Sequence, residues 1–146
     1  MQFTQVHRTE QEKVFISVQN NQGAALEPSY LTEFSATATA ADQGRLVELT
    51  DSAVNLTTGI SAAIAGVVET TIATGEVGRI QVYGPANVRA GASIVASTGM
   101  VATNAGLAAG FAASSDTGAA YADAFIGWTM ENGPNATNST VFLKCL

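Results

Sequence analysis

Few side chains of this 146-residue chain are suited to chemistry. Nucleophilic catalysis needs a base within hydrogen-bond reach of the nucleophile, and at neutral pH that base is most often histidine. The one histidine, His7, sits in a polar stretch near the start and reads as a solvated side chain. The one cysteine, Cys145, can form no internal disulfide. It lies in Val141-Phe-Leu-Lys-Cys-Leu146, a β-type run in which a small, buried or half-buried apolar residue is expected. Lys144 adjoins it, but consecutive side chains of a strand point to opposite faces, so no basic neighbour activates the thiol. Asp116, Asp123 and Glu131 are near enough in sequence to be weighed as the paired carboxylates of a glycoside hydrolase. The plainer reading is that they keep a sparsely charged surface soluble.

No His, Cys or carboxylate spacing fits a metal site. No phosphate-binding loop occurs, and Gly75-Glu-Val-Gly78 is a turn rather than part of a dinucleotide fingerprint. The sequons at Asn55, Asn135 and Asn138 carry no weight without a secretion signal. Trp128 and Tyr83 could form an aromatic platform, but both fall inside expected strands and read as core residues. The expectation is a protein that is not an enzyme, with no catalytic residues, no cofactor and no metal.

Composition gives a positive reading. Hydrophobic residues make up 47% of the chain and charged residues 12%, against about 25% charged in an average soluble protein. A surface so poor in charge is coated by Thr, Ser, Asn and Gln, and part of it is expected to be covered by neighbouring chains. The net charge of −6, with four arginines and two lysines scattered along the chain, offers no basic stripe for phosphates. Nucleic acid is therefore not an expected partner. Val77 to Gly110 is the longest weakly charged stretch, but Arg79, Arg89, Pro85 and repeated glycines are not those of a membrane span. No membrane partner is expected, and the first residues lack the apolar centre of a signal peptide.

The elements that would position any site are short and β-rich. Residues 1–13 read as an extended arm, polar apart from Met1, Phe3 and Val6, that orders by docking on a neighbour. Residues 14–146 read as a single β-rich domain. Val14 to Gln19 is a strand followed by the turn Asn20-Asn-Gln-Gly23. Pro28 to Phe34 fits a strand or one helical turn, Arg45 to Thr50 fits a strand, and Asp51 to Gly59 fits a loop. Two stretches then share a pattern 61 residues apart: Ile64-Ala-Gly66-Val-Val-Glu69 with a returning Ile80-Gln-Val-Tyr83, and Phe125-Ile-Gly127-Trp-Thr-Met-Glu131 with a returning Val141-Phe-Leu-Lys144. Each reads as a β-hairpin whose glycine marks a bend or a close backbone approach. Between them, Val88 to Ala96 and Ser97 to Thr103 each read as a turn entering a strand. Ala105 to Ala124 reads as a long Ala/Gly-rich loop, its glycines weakening any helix. The fold class expected is all-β, a small β-barrel, β-tulip-like domain or sandwich.

These residues carry a resemblance. Ile64-Ala-Gly-Val-Val-Glu69, Gly78-Arg-Ile-Gln-Val-Tyr-Gly84, Val88-Arg-Ala-Gly-Ala-Ser-Ile94, Thr98-Gly-Met-Val-Ala102 and Ile126-Gly-Trp-Thr129 form a pattern similar to that of the small head decoration, or cement, proteins of tailed bacteriophages. The similarity spans about Val14 to Leu146; the polar arm and the Ala/Gly-rich segment depart from it. It implies a β-barrel-like or β-tulip domain on the outer surface of an icosahedral head, assembled in the host cytoplasm. It also implies a homo-oligomer, with a trimer favoured, that clamps neighbouring major capsid protein subunits. Within that reading Phe3 and Val6 of the arm, with Phe15 at its root, are the expected contacts to shell or neighbour. A carbohydrate-binding or adhesin-like β module is the alternative, and a small hydrolase using Asp116, Asp123 or Glu131 comes third.

Overall fold

The computed structural model describes residues 12–35, 39, 44–50, 64–91, 99–102, 106–110, 125–132 and 137–145. They form nine strands: β1 (Val14–Asn20), β2 (Leu31–Phe34), β3 (Leu46–Leu49), β4 (Ile64–Val68), β5 (Val77–Arg89), β6 (Gly99–Ala102), β7 (Ala108–Gly110), β8 (Phe125–Thr129) and β9 (Asn138–Lys144). The described residues contain no α-helix, in agreement with the all-β expectation. Of the expected arm, only Glu12 and Lys13 are described, both exposed; Phe3, Val6 and His7 lie outside the described residues.

The hydrogen-bonded strand order is β1-β3-β2-β4-β5-β9-β8-β6-β7, and β1 also pairs with β5. The first five strands therefore close on themselves as a barrel, which removes the exposed edges of an open sheet. Strand β5 is 13 residues long, and its two ends serve different partners. Residues 77–83 pair with β1, and residues 83–89 pair with β9. Beyond β9 the order runs through β8 and β6 to β7, which returns to the end of β5 by a parallel bridge between Ala90 and Ala108. A second ring of five strands thus closes, with β5 common to both.

The two rings share one register. Val67 pairs with Gln81 in the first, as Trp128 pairs with Phe142 in the second. Thr32 pairs with Gly66 as Met100 pairs with Gly127, Phe34 with Val47 as Ala102 with Ala108, and Ile16 with Ile80 as Ala86 with Val141. The main-chain bonds match too. Asn20 N–H donates to Glu76 O at 2.9 Å and Ala90 N–H to Thr137 O at 2.9 Å; Asn21 N–H donates to Val47 O at 2.8 Å and Gly91 N–H to Ala108 O at 2.7 Å. The 61-residue hairpin repeat legible in the sequence is thus one part of a larger duplication, in which the second half of β5 takes the place of β1.

Each ring encloses an apolar cluster. Val18, Leu26, Val47, Ala65, Val68, Ile72, Ile80 and Val82 fill the first. Ala86, Val88, Ala90, Ala108, Ile126, Val141 and Leu143 fill the second, joined by Leu31 and Val67 from the first ring. Strand β9 shows the alternation that makes this possible, with Ser139, Val141 and Leu143 buried between less buried neighbours. Full burial stabilises each such aliphatic side chain by roughly 1.5–3 kcal/mol.

The structure corrects two sequence expectations here. The Ala/Gly-rich stretch read as loop contains β7, which pairs with β6; a run of Ala and Gly lacks the β-branched signal of a strand, yet Ala108 is buried in the apolar cluster of the ring. Residues 111–124, with Asp116 and Asp123, lie outside the described residues. The second correction concerns the returning strand Ile80 to Tyr83 and the turn read from Val88 to Ala96: β5 continues unbroken from Val77 through Gly84 and Pro85 to Arg89, and residues 92–96 lie outside the described residues. The buried Gln81 makes the unbroken strand possible, because its Nε2 donates to Tyr83 O at 3.0 Å and to Pro85 O at 2.9 Å at the point where the strand changes partners. The segment Pro28 to Phe34, open between strand and helical turn, contributes strand β2.

Gly66 and Gly127 occupy equivalent places and have φ of 155° and 148°. A Cβ on Gly66 would lie 2.6 Å from Gln81 O, and one on Gly127 would collide with Phe142 O. Gly127→Ala is expected to destabilise the protein by about 3 kcal/mol or more, through strain and a backbone clash. Gly75→Ala, where a Cβ meets open space but φ is 78°, is expected to cost about 1 kcal/mol. Urea midpoints of the two variants against wild type check this.

Candidate docking surface

The outward positions of the second ring differ in character from those inside. On β9 they are Thr140, Phe142 and Lys144, flanking the buried Val141 and Leu143. Phe142 pairs with Trp128 on one side and Pro85 on the other, giving an apolar row across β8, β9 and β5. Tyr83 meets the Phe142 ring edge-on, with centroids 5.3 Å apart. Trp128 is 47% exposed and Met130 49% exposed. Met130 N–H donates to Thr140 O at 2.8 Å, which fixes Met130 beside the row.

Trp128 is therefore not a core residue, contrary to the sequence expectation, and Tyr83 is only half-buried. The reason lies in the glycine before the tryptophan. Alternation puts residues two apart on the same face, yet Ala65 belongs to the interior of the first ring while Val67 packs outside it, and Val68 is interior again. Backbone at Gly66 breaks the alternation, and Gly127 does the same for Ile126, Trp128 and Thr129: Ile126 and Thr129 are buried and Trp128 is exposed. The shared glycine pattern was the available signal, but nothing in sequence spacing alone announces the reversal.

Glu131 holds the turn after Met130. Its Oε1 accepts from Thr140 N–H at 2.8 Å and from Thr140 Oγ1 at 2.7 Å, and Thr129 Oγ1 donates to its main-chain oxygen at 2.8 Å. The two bonds from Thr140 favour the charged carboxylate and hold it below the ordinary glutamate range. Among the described residues no three His, Cys, Asp or Glu side chains stand close enough to hold a metal ion.

Cys145 lies where the rings meet and packs against both apolar clusters. Its N–H donates to Val82 O at 3.0 Å. Burial pushes its thiol up to about 12, so it stays protonated and acts as a small apolar filler, as its sequence context suggested. The same joint carries Ser29, whose φ of 72° is unusual for a residue with a side chain. Ser29 N–H donates to Val68 O in the first ring, its carbonyl accepts from Arg89 N–H at 2.9 Å, and its Oγ accepts from Asn138 Nδ2 at 3.2 Å. A cleft of about 300 Å³ opens beside it, lined by Lys13, Glu69, Gln81, Asn87 and Thr140 among others.

Of the contact residues named from sequence, Phe15 is half-buried in β1 opposite Gln81, with the Arg79 guanidinium 5.2 Å from its ring centroid. The structure brings it to no other named residue; Phe3 and Val6 lie outside the described residues. Sequence reasoning did not single out Met130, or Phe142 as the centre of an outward aromatic row.

The double ring has a counterpart among solved structures. It is similar to the head fiber gp8.5 N base of bacteriophage phi29, with a TM-score of 0.59 and 12% identity, over 92% of this chain and 96% of that one. No protein-family model matches the sequence, and no curated protein matches it. The likeness covers both rings and establishes the fold.

Burial of Cys145 gives a direct check. A thiol whose folded value is raised contributes stability fully present below its ordinary value of 9.0 and lost as pH rises towards about 12. At pH 8 iodoacetamide is expected to modify native Cys145 at least about a hundredfold more slowly than the urea-unfolded chain. Mass spectrometry of timed samples measures the ratio.

Proposed function

We propose that this protein is a structural component of a bacteriophage head that sits on the outer capsid surface and stabilises the shell by binding across major capsid protein subunits. The observation that carries the reading is the double ring itself, which the phi29 head fiber base matches over nearly the whole of both chains. The sequence resemblance to head decoration proteins supports the same class. So does an outward surface that presents Trp128, Met130 and Phe142 together, since apolar patches of this kind serve contacts between proteins.

In this reading the output is adhesive area. Contacts spanning two capsid subunits add burial that separation must undo, and no bond is made or broken. The segment 1–13 supplies the shell contact, with Phe3 and Val6 as anchors and Phe15 at the root of β1, in the manner of an extended segment added to a neighbour's surface. The working form is a homo-oligomer, with three copies favoured. A net charge of −6 keeps it off the packaged nucleic acid.

A second reading rests on one observation: Trp128 is exposed with Glu131 and Asn132 close after it, and an aromatic face beside polar side chains suits a sugar ring. Glycan-array binding by the wild-type protein that Trp128→Ala abolishes would favour that carbohydrate-binding module over a capsid protein.

The capsid reading predicts that purified protein co-sediments at a fixed stoichiometry with undecorated, expanded heads of the phage that encodes it. Removing residues 1–13 is expected to reduce occupancy to background while leaving the urea midpoint of the domain within about 1 kcal/mol of wild type. Undiminished occupancy without the segment would reject the arm as the shell contact.

A further inference from the structure

We infer that the Trp128, Met130 and Phe142 face is a self-association surface whose occupant is a second copy of this chain. The inference deepens the capsid reading, since it assigns this face to copy-to-copy contact and leaves the segment 1–13 for the shell. It follows from the duplication. Trp128 stands in the second ring where Val67 stands in the first, and both belong to the strand that follows the bend glycine. Val67 is 2% exposed and Trp128 is 47% exposed.

The chain shows what covers this position when it is covered. Val67, with its cross-strand neighbour Leu31, points out of the first ring and packs into the apolar cluster of the second. The wall against which this outward face is buried is thus another ring of the same fold and sequence lineage. In the second ring the equivalent face has grown larger and more aromatic: Val67 is replaced by Trp128, Glu69 by Met130, and Gln81 by Phe142. Glu69 has an ion pair with Arg79 at 2.7 Å, and its counterpart pair is Met130 with Thr140. The Glu69–Arg79 ion pair is therefore absent from the second ring, where charge stands instead at Glu131 and Lys144, the counterparts of Thr70 and Tyr83.

Gain of Trp, Met and Phe at the centre, with Glu131 and Lys144 at the margin, is the composition of an interface core with a polar rim rather than of free surface. A second copy offers a wall of the kind on which the equivalent face already packs within the chain.

The test uses the full chain. Sedimentation equilibrium of wild type, Trp128→Ser and Met130→Ser is run alongside urea melts and co-sedimentation with undecorated heads. Wild type is expected to self-associate, and Trp128→Ser to weaken that association by at least about thirtyfold, the loss of one central interface anchor, with its urea midpoint unchanged. If Trp128→Ser does not fold, Met130→Ser on the same face carries the same expectation. A monomeric wild type, or a folded variant that associates as wild type does, overturns the proposal. Variants that keep their association but lose head binding assign the face to the shell instead, which overturns self-association and leaves the capsid reading standing. Weakened association in variants of a protein that never binds heads upholds self-association and removes the capsid reading.

Discussion

The fold depends on one strand meeting two sets of hydrogen-bond partners. Up to Tyr83, β5 completes the first ring by pairing with β1 and β4; from Tyr83 onward it opens the second by pairing with β9. The change of partner leaves main-chain oxygens at Tyr83 and Pro85 to be satisfied, and the buried Gln81 amide donates to both. Gly84, with φ of 91°, lies where the strand changes partner, and a Cβ there would collide with Glu12 O. Ser29, Arg89 and Cys145 then tie the rings together around the joint, the Arg89 guanidinium lying 5.2 Å from the centroid of the Tyr30 ring.

Parts of the two interiors diverge by compensating exchanges, while Ile16 corresponds to the smaller Ala86. Val18 and Val88 are the same residue at equivalent places. Val47 and Ala65 of the first ring correspond to Ala108 and Ile126 of the second, so a loss at one site is met by a gain at the other; Ile80 and Val82 correspond to Val141 and Leu143 in the same way. Exchanges that conserve total volume are the ones a close-packed interior tolerates. Polar interior positions diverge more. Asn20, whose amide donates to Ala24 O and Ile72 O and whose oxygen accepts from Gln22 N–H, corresponds to Ala90.

Much of this was legible in the chain before its coordinates. The all-β class, the strands around Val14, Leu46 and Met100, and the glycine-marked hairpins at Gly66 and Gly127 all follow from β-branched runs and turn residues. The rest was hidden for physical reasons. Pro85 and Gly84 are strand breakers in isolation and are tolerated here because the Gln81 amide, four residues upstream of the proline, satisfies the main-chain oxygens of Tyr83 and Pro85. Ala108 to Gly110 pair as a strand on small side chains, which propensity undervalues. The register equivalence of β1 with the end of β5 left no sequence trace, since Val14 to Asn20 and Gly84 to Ala90 share almost no residues. The exposed face was misread because a kinked strand does not alternate.

A strand common to both rings also sets an order of events during synthesis on the ribosome. By the time Tyr83 has emerged, every strand of the first ring exists and that ring can close. The stretch from Gly84 to Arg89 then waits with an open ladder, because its antiparallel neighbour, residues 138–144, is made after the other described strands. A nascent chain in that interval presents an unpaired edge continuous with a finished barrel, the kind of template on which a neighbouring unfinished chain can pair wrongly. Pro85, which has no N–H to donate, sits within that edge and makes it a poorer template than an uninterrupted strand would be.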